Sequence, residues 1–269
     1  VCDVVELLAD RIRAGETCLT VKLNLSDPQC CEIAGLAGAD AVWLDREHCL
    51  GGWSELYHQV LAARRRGCEA IVRVPRGSYS DLVKPYELGA SALMVPQVAD
   101  LADAREVVAQ TRFHPIGRRA LDGGNSDGDF GQLGTDDYLA SAARETLLVL
   151  QLESPGAVAD AAAIAALPGV DVVFFGPGDF AQAIGAPGRL DHPDVAAAQR
   201  AVAAAARAAD KHAGTVLHPG TSLSELRRQG YTLVNVAADV IELGAALRRR
   251  ISAARQEIPP AITQEGIAS

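Results

Sequence analysis

No apolar run in this 269-residue chain approaches the roughly 18 residues that a membrane-spanning helix needs. Nor is there an excess of positive charge. Lys and Arg number 25 against 34 Asp and Glu, a net charge of −9, which excludes the electrostatic footprint of a nucleic-acid-binding surface. An acidic protein can still bind an anion where a metal ion or local arginines supply positive charge. No signal-peptide pattern is evident, and a cytoplasmic protein with no membrane or nucleic-acid partner is expected.

The cysteines lack spacing. Cys2, Cys18, Cys30, Cys31, Cys49 and Cys68 all fall in the first quarter of the chain, with no Cys-x-x-Cys among them. A disulfide framework is not expected in so long and core-rich a chain, and no His/Cys set has zinc spacing. At least one of the adjacent Cys30 and Cys31 is expected to be a small core residue. No linker interrupts the chain, so residues 1–255 are read as one domain and 256–269, with Pro259-Pro260, as a frayed tail.

What is present is a rhythm. An amphipathic helix is expected from Asp3 to Ala14, ending at Gly15. Short apolar runs then alternate with helical patterns. Strands are expected at Leu19–Asn24, Ala41–Asp45, Ala70–Val74, Ala92–Pro96, Leu147–Glu153, Val170–Gly176, Thr215–His218 and Thr232–Val236. Eight strands, each followed by a helix, is the arithmetic of an α/β fold of the (β/α)8 TIM-barrel type with an extra N-terminal helix. Local signals agree: Asp27-Pro28 reads as a helix start, Ser222 to Glu225 as a capping box, and Gly67, Gly89 and Gly230 as left-handed helix ends. Residues 112–137 break the rhythm as a long connection carrying Gly117-Arg-Arg119 and the acidic, glycine-rich segment 122–129.

In such a barrel, polar residues at the carboxyl ends of the strands converge on one mouth. Strand two ends in Asp45-Arg-Glu47-His48, strand three delivers Arg73, strand five Gln151 and Glu153, strand six Asp179, and strand seven His218. Glu153 and Asp179 lie one βα unit apart. Two carboxylates that close repel unless a cation stands between them, and a hard divalent ion such as Mg2+ or Mn2+ resolves this. The alternative is salt bridges to loop arginines, or helix capping by Asp179. Arg73 suits either a rim ion pair or a fixed cation beside an anionic substrate. His48, three residues after Asp45, is expected to be oriented by that carboxylate as a proton-transfer base. Lys22 and Lys84 are read as poorly placed for Schiff-base chemistry.

These residues bring out a likeness. The chain resembles the HpcH/HpaI aldolases, metal-dependent class II pyruvate aldolases with the phosphoenolpyruvate-binding TIM-barrel fold. The likeness runs from about residue 5 to 254, through Trp43-Leu-Asp-Arg-Glu-His48, Ile71-Val-Arg-Val-Pro75, Glu87-Leu-Gly-Ala90, Leu93-Met-Val-Pro96, Gly117-Arg-Arg119, Leu150-Gln-Leu-Glu153 and Phe175-Gly-Pro-Gly-Asp179. The resemblance implies Glu153 and Asp179 as ligands of a divalent ion (Mg2+, Mn2+ or Co2+), and Arg73 at the 2-oxo oxygen. It implies His48 with Asp45 as the proton-moving dyad and Gln151 as a substrate contact, with the amides of Gly178 and Asp179 on the pyruvate carboxylate. Glu47, Arg119 and His218 are supporting or interface candidates, and Glu87 would reach a neighbouring subunit's site. The implied partners are a 2-oxo acid and an aldehyde, in a homo-oligomer built as a trimer of dimers with exchanged C-terminal helices.

The chain also departs from that pattern. Arg46 stands where the family usually has glycine, and is expected to ion-pair with a neighbour or to narrow the pocket. The acidic 122–129 loop replaces small and basic residues and is expected to disfavour an acidic acceptor, and Phe180-Ala181 replaces the more usual Leu-Ser. The implied reaction is reversible aldol cleavage of a 4-hydroxy-2-oxo acid to pyruvate and an aldehyde. The alternatives are a related lyase acting on a larger 2-oxo acid or acyl-CoA ester, and a non-catalytic oligomer that binds a small anion.

Overall fold

The eight strands of the computed structural model, which describes residues 6–258, are all parallel and close into a barrel in sequence order. Cys2, residues 3–5 of the expected N-terminal helix and nearly all of the expected tail lie outside the described residues, and the helix begins at Leu8, after an extended Leu7, later than expected. The strands are β1 (Cys18–Leu23), β2 (Ala41–Asp45), β3 (Glu69–Arg73), β4 (Ala92–Val95), β5 (Leu147–Leu152), β6 (Val172–Phe175), β7 (His212–Val216) and β8 (Tyr231–Ala238). Pairing of β1 with β8 seals the ring, with a register shift between Thr20 and Val21.

Successive side chains on a strand point to opposite faces, and that period organises the whole core. In β2, Val42 and Leu44 face the surrounding helices, whereas Trp43 joins Ile71, Met94, Val149, Phe174 and Leu233 inside the barrel. One further inward step along the strands brings Asp45 after Trp43, Arg73 after Ile71 and Gln151 after Val149, and all three are buried. The helix α1 (Leu8–Arg13) closes the other end. Its Leu8, Ala9 and Ile12 pack with Cys18, Ala41 and Leu147, which begin or precede the paired stretches of β1, β2 and β5. Only the carboxyl end of the barrel is left open by this plug.

The outer layer follows from local signals. Asp27 accepts from the Gln29 amide (2.8 Å) to start α2 (Pro28–Leu36), and Ser222 accepts from the Glu225 amide (3.2 Å) to start α11 (Leu223–Gln229), though the other half of the expected capping box is missing because Glu225 Oε1 accepts from Gln229 instead. Gly67, Gly89 and Gly230 all take positive φ, as expected. Cys31 is buried and Cys30 half-buried, and the five described cysteines are free. The helices α3 (Trp53–Arg64), α4 (Tyr79–Glu87), α5 (Leu101–Thr111) and α10 (Pro193–Ala208) fall between the strands, as expected, and α12 (Asp239–Gln256) follows β8. No helix among the described residues is long and apolar enough to cross a membrane.

Three differences have physical causes. The expected connection at 112–137 ends in a 3-10 turn (Ser126–Gly131) and then a helix, α6 (Thr135–Glu145), that buries only Tyr138 and has a short stripe rich in alanine. The helix expected after strand five is two, α7 (Pro155–Ala159) and α8 (Ala161–Ala165). They are divided at Asp160, whose carboxylate accepts from the Leu101 amide (3.0 Å). Strand β7 starts earlier than its apolar signal because Gly214 lies against Phe174, where a Cβ would come within 2.5 Å of the ring.

Candidate active site

Asp45 and Arg73 are register partners on β2 and β3, and a two-pronged ion pair joins them. Arg73 Nε donates to Asp45 Oδ1 (3.0 Å) and Nη2 to Oδ2 (2.7 Å). Oδ1 also accepts from the Glu47 amide (3.0 Å), and Oδ2 lies 2.9 Å from Lys22 Nζ. Burial alone would raise the Asp45 carboxyl. The hydrogen bonds and charge of Arg73, then of Lys22, outweigh it and hold the group well below the usual carboxylate range. Arg73 Nη1 lies 3.1 Å from Glu47 Oε2. The guanidinium rests over the Trp43 ring (4.7 Å to the centroid), and Trp43 meets Phe174 edge-on at 5.6 Å. These two rings floor the mouth.

The expected Asp45–His48 pair is absent. A carboxylate has about four acceptor positions, and those of Asp45 are taken by Arg73, Lys22 and the Glu47 amide. His48 is largely exposed instead, with Nε2 3.4 Å from Glu47 Oε2. Glu47, expected as a supporting residue, therefore bridges His48 and Arg73, and its carboxyl is raised by burial against the opposing charge of Arg73. Arg46 turns away from the mouth. Its Nη2 donates to Gln59 on α3 (2.5 Å) and its Nη1 to the Leu50 carbonyl (3.2 Å), so it ties down the 46–50 loop and neither ion-pairs nor narrows the pocket.

Across the mouth, Glu153 follows β5 and is 3% exposed. Its Oε1 accepts from the amide of Gln97 (2.7 Å), a residue held at φ +52°. Burial raises the carboxyl to about 7, with the charges of Asp179 and Glu47 adding to it and the Gln97 amide opposing. The backbone beside it must be glycine: a Cβ on Gly176 would stand 2.5 Å from Glu153 Oε2. Asp179 lies in the first turn of the short α9 (Pro177–Ala183). It caps nothing, and among the described residues it forms no hydrogen bond or ion pair, so its carboxylate stays open on the mouth. Gly178 beside it is exposed. Gln151 is buried with Oε1 unpartnered.

This donor set fits a hard divalent ion. It offers oxygen only, with one open carboxylate and one that burial raises to about 7. Among the described residues no three His, Cys, Asp or Glu side chains gather to hold a metal, so a closed protein cage is not built. An ion held by two carboxylates would keep other positions for water and substrate.

Other expected residues lie elsewhere. His218 is buried past β7, with Nδ1 against the Pro219 carbonyl (2.9 Å) and Nε2 unpartnered. It lines a cavity of about 190 Å3 with Leu190, Gln199 and Glu225, between α10 and α11. Glu87 ends α4, and Arg119 is clamped between the rings of Tyr86 (5.3 Å) and Phe113 (4.6 Å), with Nη2 on Asp127 (2.7 Å). Tyr86 bonds the carbonyl of Leu147, the first residue of β5, so this cluster sits at the plugged end of the barrel. The acidic 122–129 loop packs there too, with Ser126 and Asp127 beside Gly89 and Ser91. Within one chain it does not face the strand-end mouth.

Sequence reasoning missed Lys22. Read only as poorly placed for Schiff-base chemistry, its ammonium reaches Asp45 inside the mouth as an ion-pair partner and lies 5.6 Å from the Trp43 ring centroid. The period-two succession Cys18, Thr20, Lys22 along β1 was the signal that could have found it.

Comparison with known proteins bears on this geometry. The sequence profile of the HpcH/HpaI aldolase/citrate lyase family matches residues 20–246. The 2-keto-3-deoxy-L-rhamnonate aldolase of Klebsiella pneumoniae is 32% identical over 239 residues, 88% of this chain and 89% of that protein. Among solved structures, an HpcH/HpaI aldolase/citrate lyase family protein from Burkholderia cenocepacia superposes with a TM-score of 0.84 at 32% identity, covering 92% of this chain and 98% of that one. The HpcH/HpaI aldolase from Desulfitobacterium hafniense gives 0.86 at 26% identity, covering 94% and 98%.

Proposed function

Because the chain belongs to the HpcH/HpaI aldolase/citrate lyase family, and is an aldolase of the lyase class, we propose that it cleaves a 2-keto-3-deoxy acid reversibly to pyruvate and an aldehyde, with a divalent metal ion. The observation that carries this reading is the open Asp179 carboxylate beside a Glu153 whose carboxyl is raised to about 7, facing Arg73 at one barrel mouth. The substrate class is that of the Klebsiella relative's name.

Glu153 and Asp179 would hold the ion, which when bound supplies Lewis-acid charge beside the 2-oxo group. Asp45 holds Arg73 by two of its N–H groups, and the Glu47 carboxylate pairs with it 3.1 Å from Nη1. The N–H groups that remain on the terminal nitrogens are left for the 2-oxo oxygen. In cleavage, His48, backed by Glu47, takes the proton of the 4-hydroxyl. The C3–C4 bond breaks and the aldehyde leaves, and its electron pair becomes the C2–C3 double bond of pyruvate enolate. Negative charge thus develops on the oxygen that Arg73 addresses. His48 then returns its proton at C3, which completes pyruvate. The amides of Gly178 and Asp179 would hold its carboxylate, Gln151 Oε1 would accept from a substrate hydroxyl, and the Trp43–Phe174 floor keeps water from beneath.

A homo-oligomer is part of the same reading. The 18-residue α12 buries none of its residues, and it exposes Ile241, Leu243, Leu247 and Ile251. Such a helix fits a second copy of the chain, in which Glu87 and Arg119 would lie near a neighbour's site.

The test is pyruvate release from a panel of 4-hydroxy-2-oxo acids that includes 2-keto-3-deoxy-L-rhamnonate, with Mg2+, Mn2+ or Co2+ added. Turnover is expected, lost with chelator and in Glu153→Ala. Turnover indifferent to chelator, or surviving that substitution, would sink the proposal. Turnover of acyl-CoA esters alone would move the chain to the related lyase reading.

A further inference from the structure

Lys22 is absorbed by none of the roles above, yet it is the second cation of the mouth. Its ammonium lies 2.9 Å from Asp45 Oδ2, the same oxygen that accepts from Arg73 Nη2 at 2.7 Å. Asp45 has no exposed side-chain surface, and the Lys22 side chain is 20% exposed, so the ammonium stands at the boundary of the buried pair and the mouth. Asp45 is its one ion-pair partner among the described residues. Both cations lie against the Trp43 ring, at 4.7 Å for Arg73 and 5.6 Å for Lys22.

The charges explain why a second cation is needed. Arg73 faces two carboxylates, Asp45 and Glu47. Were it their only partner, its single positive charge would be shared between two anions, and the geometry would be free to slide toward either. With Lys22 on Oδ2, Asp45 is shared between two cations and every acceptor position it has is filled. Its rotamer is then over-determined, and with it the direction of the guanidinium.

We propose that Lys22 is a positioning residue for the 2-oxo acid site, acting through the shared Oδ2 of Asp45 to keep Arg73 aimed into the barrel mouth. The role rests on the proposed aldolase function for its catalytic consequence, but not for its structural one. It gives Lys22 no covalent chemistry.

The experiment therefore reads both. In the full chain, hydrogen exchange of the Arg73 Nε–H is followed by NMR in wild type, Lys22→Met, Lys22→Gln and Lys22→Arg. Exchange is expected to speed about tenfold or more in Lys22→Met and Lys22→Gln and to stay near wild type in Lys22→Arg. The neutral pair guards against one variant that fails to fold. In parallel, aldol cleavage is measured with metal present and with Lys84→Met as the control. The kcat is expected to fall about tenfold or more in the neutral variants, as when a fixed donor to a developing oxyanion is lost, with KM changed less than about threefold and with rescue by Lys22→Arg. Unchanged Arg73 exchange in both neutral variants overturns the proposal, whatever the activity. So does borohydride trapping of pyruvate on Lys22, which would make it a Schiff-base lysine. Altered exchange in a protein whose wild type cleaves no substrate leaves the positioning role standing and removes the aldolase reading instead.

Discussion

Asp45 and Arg73 meet in register across β2 and β3, and each oxygen of the carboxylate accepts from a separate nitrogen of the guanidinium. This pair, rather than Asp45 with His48, is the fixed centre of the mouth. It sets the first expectation. Asp45→Asn leaves the buried Arg73 and the half-buried Lys22 without their shared anion, and breaking a buried pair from one side costs about 3–5 kcal/mol. The sign with pH follows from a folded-state carboxyl held below its unfolded value. The contribution is present above the ordinary carboxylate pKa and is lost as pH falls through and below it. Urea unfolding between pH 7 and pH 3 should show this loss in wild type and its absence in Asp45→Asn.

Glu153 titrates the other way. Burial, together with Asp179 and Glu47, raises its carboxyl to about 7 in the metal-free protein. The metal-free fold is then favoured by protonation, and that advantage declines as pH rises from the unfolded value of 4.5 to about 7. A divalent ion must displace the proton below this point. Its apparent affinity should fall roughly tenfold per pH unit below pH 7 and level off above it. Calorimetry in buffers of different ionisation enthalpy should detect the released proton, and Glu153→Gln should release none.

Gly176→Ala tests the close approach of backbone and carboxylate. The added Cβ would lie 2.5 Å from Glu153 Oε2 and 2.9 Å from its Cβ, so the side chain must move. Overpacking of this kind costs about 1–3 kcal/mol. Metal affinity, read by titration, should weaken by about tenfold or more, and an unaltered affinity would show that Glu153 is no ligand.

His48 is exposed and Glu47 is its partner. His48→Ala should therefore leave stability within about 0.5 kcal/mol while lowering kcat by about 100-fold or more, as expected on losing a proton-transfer group. Glu47→Gln should lower kcat as well. Stopped-flow pyruvate release beside thermal melts separates the two effects.

The outer face of α12 gives a last expectation. Leu247→Glu with Ile251→Glu places charge in an exposed apolar stripe. Light scattering should show a smaller species than wild type, and an unchanged mass would exclude this face as a contact between copies.

Much of the molecule was legible from local rules. The β-strand count, the Asp27 and Ser222 helix starts and the left-handed glycines depend on neighbours in the chain, and all appear as read. The mouth residues Asp45, Arg73, Gln151 and Glu153 were legible for a related reason: a strand end and an inward period of two are properties of sequence position. The helix α6 was not, since its one-sided stripe of Tyr138, Leu139, Ala142 and Ala143 is short and half alanine.

What only the tertiary structure decided is who partners whom. Four groups compete for Asp45, and spacing along the chain favours His48, three residues away. Lys22 and Arg73 win because strand pairing brings β1 and β3 to either side of β2, at 2.9 and 2.7 Å from one oxygen. The same closure that builds this mouth sends Arg119 and the 122–129 loop to the plugged end of the barrel, a separation that distance along the chain does not encode. Sequence thus determined the barrel and the residues at its mouth, while the pairings among their charges were settled by the three-dimensional neighbours that fill each carboxylate.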